Sequence, residues 1–276
     1  MRGLSVVGGG HVGRVLGRLF SSKGAFAVQD VLARSADSAA QAVAFIGAGT
    51  PIASGGAVRP ADVFMLTVTD DQIVPACEAL AEAVPLQDAV VFHCSGALAS
   101  DRLQAARAAG AYVASVHPIR SFADVDAVVA GFAGTFCGVE GDQQALDVLL
   151  PALAAIGARA VQIDPAAKTV YHAAAVFASN YLVTVIDAAL RAYQAAGIPE
   201  AVARELARPL ALESMENAFR LGAAPALTGP VARGDMTTVL RQQDAVMAWD
   251  AETGQLYRAL VPPTIALAAR KRAGKP

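Results

Sequence analysis

The stretch SVVGGGHVGRVLGRLF, Ser5–Phe20, decides the fold of this chain. A short apolar run leads directly into GGGHVG, Gly8–Gly13, and a helical pattern with Leu16 and Leu19 on one face follows. In such a strand–turn–helix unit the first glycine permits a tight turn, the second lets a pyrophosphate approach the backbone, and the third lets the helix pack on the strand. The helix N-terminus offers free N–H groups and a positive dipole end to the phosphates. We therefore predict a dinucleotide-binding loop, in preference to a turn without ligand, in which the contacting residues are Gly8, Gly10, His11, Val12 and Gly13.

The end of the second predicted strand discriminates between the two nicotinamide cofactors. NAD-selective sites usually carry Asp or Glu there, about 20 residues beyond the glycines. Here the segment VQDVLARSADS ends its apolar part with Arg34 and Ser35, and Asp30 lies too early, within the strand. A guanidinium can pair bidentately with a 2′-phosphate, and a hydroxyl can add a second hydrogen bond. This predicts NADP rather than NAD; the alternative is that Arg34 is a solvated loop arginine.

The first part of the chain alternates strand and helix patterns, which is typical of a parallel sheet covered by helices on both faces. After Asp164-Pro165 no strand signal remains, and one long helical run extends to Ala196. We predict an α/β fold with a doubly wound Rossmann domain over residues 1–164 and an all-α domain over residues 165–276. The segment LTGPVARGD, Leu227–Asp235, is expected to be a loop. The predicted strands are Leu4–Val7, Val28–Leu32, Val63–Val68, Ala89–His93, Tyr112–Val116, Thr135–Val139 and Arg159–Ile163.

The composition of the chain argues against nucleic-acid, membrane and metal partners. The 276 residues carry a net charge of −2, which argues against a nucleic-acid surface. The longest apolar stretch, residues 173–190, contains four polar residues that a membrane span would have to bury, so we expect a soluble helix and no membrane partner. The three cysteines show no metal-like spacing, and no metal site is predicted. With no signal peptide visible, a cytoplasmic location is expected.

Three predicted strand ends carry residues able to bind a ligand. Because the carboxyl ends of parallel strands form the ligand crevice of open α/β sheets, these residues are expected to line the same crevice as the glycine loop. We assign Thr67, Thr69 and Ser95 to the cofactor, and His117 and Arg120 to a substrate. For His93 and His117 the alternative is a histidine satisfied in the core or a turn, and for Arg120 a surface salt bridge.

The long helix carries the sharpest functional hypothesis. At about 100° per residue, Lys168, His172 and Ser179 lie on one stripe, with Asn180 nearby. Polar groups on an apolar helix need a cavity or partners. Since imidazole is a common general acid and base in enzymes, we predict that His172, Asn180 and Lys168 act in catalysis and that Ser179 contacts the substrate. The alternative is that this polar set bonds a dimer partner.

Five motifs together carry a resemblance over nearly the whole chain. They are LTVTDDQI, HCSGAL, HPIRSF, YHAAAVFASNYL and LTGPVARGD, in that order. The chain resembles the bacterial Rossmann-like family with C-terminal domain of unknown function 2520, a branch of the 6-phosphogluconate-dehydrogenase-like superfamily near pyrroline-5-carboxylate and ketopantoate reductases. The resemblance implies a nicotinamide-dependent oxidoreductase and a homodimer built through the C-terminal helices, but no particular substrate.

One departure from the related hydroxyacid dehydrogenases leaves alternatives open. Those enzymes carry a catalytic lysine four residues before the asparagine, where this chain has Val176. The leading hypothesis is an enzyme that transfers a hydride between NADP(H) and a small carbonyl or imine at a cleft between the domains. The last motif has two interpretations. Either Arg233 binds an anion of the substrate, or it only precedes a turn at Gly234. An NADP-binding sensor or scaffold without turnover is the second hypothesis, and a deazaflavin partner of the F420 type stays open.

Overall fold

The computed structural model describes residues 1–274 of the chain. It divides into two compact units, residues 1–177 and the residues from Ala178 onward. This division falls later than the predicted boundary at 164, because the first turns of the long helix contact the sheet through Lys168 and Tyr171. The two units are described separately.

The first unit contains one eight-stranded sheet with the strand order β3-β2-β1-β4-β5-β6-β7-β8. The strand order reverses between β1 and β4, and this switch point is where open α/β sheets place a ligand crevice. The first six strands in chain order are mutually parallel, as predicted for a doubly wound domain. The strands are β1 (Gly3–Val7), β2 (Ala27–Ala33), β3 (Thr50–Ala53), β4 (Val63–Leu66), β5 (Val90–His93), β6 (Tyr112–Pro118), β7 (Phe136–Gly141) and β8 (Arg159–Gln162).

Alternating residues of the strands supply two separate hydrophobic cores. In β4, Val63 and Met65 belong to one core cluster, whereas Phe64 and Leu66 belong to the other. Since successive side chains of a strand point to opposite faces, helices must cover both faces of the sheet. The helices of this unit are α1 (His11–Ser22), α2 (Ala36–Ile46), α3 (Ile73–Ala83), α4 (Gln104–Ala108), α5 (Val125–Ala130), α6 (Gln143–Ala155) and α7 (Lys168–Val176).

Two features of the sheet differ from the prediction. The edge strand β3 was not predicted, because four residues that include Pro51 give no alternating pattern. The strand β7 runs antiparallel to β6, and β8 follows β7. The connection from β6 to β7 contains the six-residue helix α5, and the chain re-enters the sheet at the end of β6 that it has just left.

The long helical run is present, but it is not uniformly α-helical. A π-helical turn, Phe177–Tyr181, separates α7 from the next helix. A π turn adds a residue to one turn, so the phase of 100° per residue holds only as far as Val176. The π turn therefore interrupts the predicted stripe of Lys168, His172 and Ser179 before it reaches Ser179.

The second unit is built from helices alone. These are α8 (Leu182–Ala195), α9 (Glu200–Leu221), α10 (Ala223–Ala226), α11 (Gly229–Arg233), α12 (Met236–Trp249) and α13 (Ala251–Ala273). The predicted loop Leu227–Asp235 contains the short helix α11, in which Pro230 takes a first-turn position and Gly234 a left-handed C-cap. Asp235 then caps α12 through Thr238 N.

Many large apolar side chains of the second unit are exposed. Phe219 is 90% exposed, and Val183, Leu210 and Leu212 are each at least half exposed. By length and composition alone the run Pro165–Ala195 could cross a membrane, and none of its most apolar window is buried. The sequence of that run nevertheless includes the polar residues Asn180 and Asp187.

Candidate active site

The glycine loop adopts a conformation in which two of its glycines admit no side chain. Gly8 has φ +118°, in the left-handed region, and a Cβ there would lie 2.7 Å from the carbonyl carbon of Thr67. A Cβ on Gly13 would lie 2.3 Å from Gly8 O. Around Gly10, in contrast, the nearest atom to a Cβ would be Thr67 O at 4.0 Å. The turn and the close helix packing are thus as expected, and an open space lies over Gly10.

The start of α1 leaves the space over Gly10 accessible. Gly10 is the N-cap, and no side chain caps the helix. His11 is exposed and its Nδ1 lies 2.7 Å from Phe122 O, while Val12 packs on the core. Thr67 Oγ1 donates to Gly8 O at 2.8 Å, which places Thr67 of the β4 end against the loop.

At the end of β2, the structure separates the roles of the three polar residues. Asp30 is fully buried and its carboxylate accepts from Arg59 Nε at 2.9 Å, so it is occupied inside the sheet. Ser35 is the N-cap of α2 and forms a capping box with Ser38. Arg34 is exposed, and its guanidinium has no hydrogen bond or ion pair within residues 1–274. Arg34 is therefore the residue of this group that is available to an anion.

The loop after β5 is held by His93. Its Nδ1 accepts from Ser95 N at 3.2 Å and its Nε2 lies 3.1 Å from Ala99 O, so Nε2 carries the hydrogen. Burial lowers the pKa of His93 to about 4, which keeps the ring neutral. Ser95 Oγ accepts from Ala97 N and Leu98 N. His93 and the predicted cofactor residue Ser95 thus both shape the loop that presents Gly96.

A buried ion pair anchors α7 to the sheet. Lys168 and Glu140 have side chains only 2% and 3% exposed, with Nζ 3.6 Å from Oε1. Lys168 Nζ also donates to Ser95 O at 3.1 Å and to Ser115 Oγ. Glu140 accepts from Ser100 N at 2.8 Å and Ser100 Oγ at 2.7 Å. Desolvation lowers the pKa of Lys168, and the charge of Glu140 opposes that shift.

Two histidines meet at Gly96. A Cβ on Gly96 would lie 2.3 Å from His172 Nδ1 and 2.7 Å from His117 Nε2. The two rings are T-shaped with centroids 5.4 Å apart, and His172 Nδ1 is buried without a hydrogen-bond partner in the described part of the chain. On its other side, His117 Nδ1 lies 2.8 Å from Tyr171 Oη. The two imidazoles thus both pack against Gly96 at the carboxyl ends of β5 and β6.

The other predicted site residues have the following surroundings. Arg120 donates to Gly131 O and, at 3.2 Å, to Thr135 Oγ1. Thr69 precedes a single 3₁₀ turn, Asp70–Gln72, and its side chain bonds to Asp71. Ser179 and Asn180 are exposed in the π turn, and Arg233 is the exposed last residue of α11. Across residues 1–274, no three His, Cys, Asp or Glu side chains are grouped to hold a metal ion.

Sequence reasoning did not single out Tyr171, Gly96 or Glu140. The signal for Tyr171 was its position next to His172 in the chain. Both side chains contact His117 in the structure. For Glu140 the only signal was indirect. Lys168 is a lone lysine in the interior of the sequence, and a buried lysine needs an acidic partner. Nothing in the sequence distinguishes Gly96 from an ordinary turn glycine.

Comparison with known proteins identifies the fold family. Residues 135–264 match the family described as Domain of unknown function (DUF2520). Protein TM1727 from Thermotoga maritima is 28% identical, with a TM-score of 0.73 over 98% of this chain and 99% of that one. BF3122 from Bacteroides fragilis, described as a candidate NADP oxidoreductase, is 18% identical, with a TM-score of 0.80 over 96% and 98%.

A structure with bound cofactor shares the fold as well. It is the reductive aminase from Aspergillus terreus in complex with NADPH and ethyl levulinate, which is 16% identical with a TM-score of 0.65 over 99% of this chain and 95% of that one. No curated protein sequence matches the chain. These findings confirm the resemblance inferred from the five motifs. Residues 135–264 thus match the DUF2520 family, and the whole chain shares its fold with TM1727, BF3122 and the reductive aminase.

Proposed function

We propose that this protein is an NADP-dependent oxidoreductase acting on a small carbonyl or imine. The observation that carries the proposal is the glycine loop, in which the protein's own backbone closes the space at Gly8 and Gly13 and leaves it open at Gly10. A pyrophosphate needs that close approach in front of a helix N-terminus, so the residues fit a dinucleotide. When bound, the nicotinamide supplies or accepts the hydride. The reductive aminase of the same fold, which binds NADPH, supports this proposal.

Within the first unit, His172 is the residue that we assign as proton donor. Its Nδ1 packs against Gly96 and is buried without a hydrogen-bond partner among residues 1–274. Lys168 is occupied by Glu140, Ser95 and Ser115, which favours His172 over Lys168 for this role. A substrate oxygen or nitrogen beside Gly96 would exchange its proton with His172 Nδ1. Asn180 and Ser179 remain proposed contacts of the substrate, as does Arg233.

The cofactor assignment is tested by titrating the protein with NADPH and NADH while following the emission of the reduced cofactor. Wild type is expected to bind NADPH more tightly, because Arg34 is free to pair with the 2′-phosphate. Arg34→Ala should weaken NADPH binding about tenfold, the equivalent of roughly 1.4 kcal/mol, and leave NADH binding unchanged. Arg204→Ala, which removes an exposed arginine paired with Glu200, is the control.

The other outcomes of that titration identify the alternatives. Equal affinities that Arg34→Ala does not change would assign NAD or a non-selective site. No binding of either nucleotide would overturn the enzyme proposal, and a deazaflavin of the F420 type would then be titrated in the same way.

A sensor or scaffold without turnover is the second candidate function. The observation that favours it is Val176, which occupies the position of the lysine expected from the related dehydrogenases. Oxidation of NADPH is measured with a panel of 2-oxo acids, aldehydes and cyclic imines. Sustained turnover with any of them would exclude the sensor, whereas cofactor binding without turnover would favour it.

We further propose that two copies of this chain form a homodimer through the helices of the second unit. The exposed apolar side chains of α8 and α9, among them Val183, Leu210 and Phe219, would be covered by the partner. The mass of the purified protein in solution, measured by light scattering at micromolar concentration, is expected to be twice that of one chain. The mass of a single chain would contradict the dimer.

A cytoplasmic location fits the cysteines. Cys77, Cys94 and Cys137 are all free thiols, and burial raises the pKa of each. Thiols of this kind persist in a reducing compartment. Cell fractionation with detection of the native protein tests this location, and recovery in the membrane fraction would contradict it.

A further inference from the structure

The hydrogen bond between Tyr171 and His117 decides what His117 can offer to a ligand. Tyr171 Oη lies 2.8 Å from His117 Nδ1, and the two rings are T-shaped with centroids 5.6 Å apart. A neutral imidazole has one nitrogen with hydrogen and one without, and the partner of one nitrogen fixes the state of the other. The question is therefore which of the two atoms in this bond donates.

The surroundings of the hydroxyl favour tyrosine as the donor. Tyr171 Oη is packed against Gly138 of β7, where a Cβ would lie 2.4 Å from it. Its only hydrogen-bond partner among residues 1–274 is His117. If the imidazole donated instead, the hydroxyl hydrogen and His117 Nε2 would both be left without a partner. Donation by the hydroxyl leaves only Nε2–H free, so fewer polar groups lack a protein partner in this arrangement.

From this geometry we infer that Tyr171 is a positioning residue that holds His117 in the Nε2–H tautomer, so that His117 offers a fixed hydrogen-bond donor beside Gly96. The inference rests on the proposed function for its consequence, which is that a substrate oxygen or nitrogen accepts from His117 Nε2–H. The same substrate atom exchanges its proton with His172 Nδ1, which also packs against Gly96.

The electrostatics are consistent with a donor that does not titrate. Burial raises the pKa of Tyr171 to about 12 and lowers the pKa of His117 to about 4, so both groups are neutral in between. His172 and Lys168 also lower the pKa of His117, while Asp70 opposes them. The two imidazoles would then have distinct roles: His117 polarises the substrate without changing its charge, and His172 supplies or removes the proton.

The tautomer can be measured by two-bond proton–nitrogen correlation spectra of protein labelled with ¹⁵N in its histidines, without cofactor and near pH 7. The chain has only four histidines, and His117→Gln identifies the signals of His117. Wild type is expected to show the Nε2–H tautomer alone, and Tyr171→Phe a mixture of both tautomers. Tyr257→Phe is the matched control, because Tyr257 Oη donates to Gln242 Oε1 in the second unit.

Two results would overturn the inference: an Nδ1–H tautomer of His117 in wild type, or an unchanged tautomer in Tyr171→Phe. The wild-type spectrum decides the first even if the variant does not fold. Because these spectra need neither NADPH nor turnover, failure of the proposed function would not be mistaken for failure of the inference. In an active enzyme, Tyr171→Phe should lower kcat about tenfold with NADPH affinity unchanged.

Discussion

Replacement of Gly96 by alanine is expected to reduce kcat at least about a hundredfold while NADPH affinity stays within about twofold of wild type. The methyl group would lie 2.3 Å from His172 Nδ1 and 2.7 Å from His117 Nε2, so at least one of the two imidazoles must move from the position that we assign to it in the reaction. The backbone at Gly96 is not in the left-handed region, so alanine is strained there only by these two rings.

His172→Ala should lower kcat by a similar factor, because it removes the proposed proton donor.

The measurement is steady-state NADPH oxidation with whichever substrate of the panel is turned over, together with a cofactor titration of each variant. Gly274→Ala is the control, since a Cβ there makes only an ordinary contact of 3.5 Å with Arg270 O. If Gly96→Ala keeps wild-type turnover, the space between the two histidines is not the reaction site. A loss of turnover accompanied by a loss of NADPH binding would point to a collapse of the loop instead.

Glu140→Ala is expected to lower the free energy of unfolding by about 3–5 kcal/mol, because it leaves the buried ammonium of Lys168 without its counter-charge. Ser100 would lose its acceptor for both its N–H and its hydroxyl in the same step. Urea unfolding of the purified variant measures this change. Glu200→Ala, which breaks an exposed ion pair with Arg204, should change stability by no more than about 0.5 kcal/mol.

A second variant separates the loss of a charge partner from the loss of packing. Lys168→Met combined with Glu140→Gln removes both charges at nearly constant volume, and it should recover most of the stability lost in Glu140→Ala. If Glu140→Ala is no more destabilising than Glu200→Ala, the Lys168–Glu140 pair is not what anchors α7.

The parts of the fold that follow from local pattern could be predicted from the sequence. The helix α1 begins at His11 and ends at Ser22, as the pattern after the glycines indicates. The reversed direction of β7 was not predictable in the same way. It depends on the end of β6 at which the chain re-enters the sheet, and the apolar residues of β7 are equally suited to either direction.

The candidate site was predictable in its residue types but not in its contacts. His117 and His172 were both expected at a site, and the structure brings both of them to Gly96. Lys168 was expected to act on the substrate, and the structure pairs it with Glu140, since the sequence does not show which side chains a strand will place beneath a helix. The contribution of Tyr171 depends on a hydrogen bond to a residue 54 positions earlier in the chain.

The reversal of β7 has a consequence for how the site is assembled. The strands β7 and β8 run in the direction opposite to β6, so the chain leaves β8 on the side of the sheet where β6 begins. The helix α7 then runs back towards the side where β6 ends. Lys168 accordingly meets Ser115, and Tyr171 and His172 meet His117 further along the same strand. A single turn of α7 therefore links the buried Lys168, which fixes the helix to the sheet, to the two side chains that contact His117, so the position of the ion pair sets the position of both.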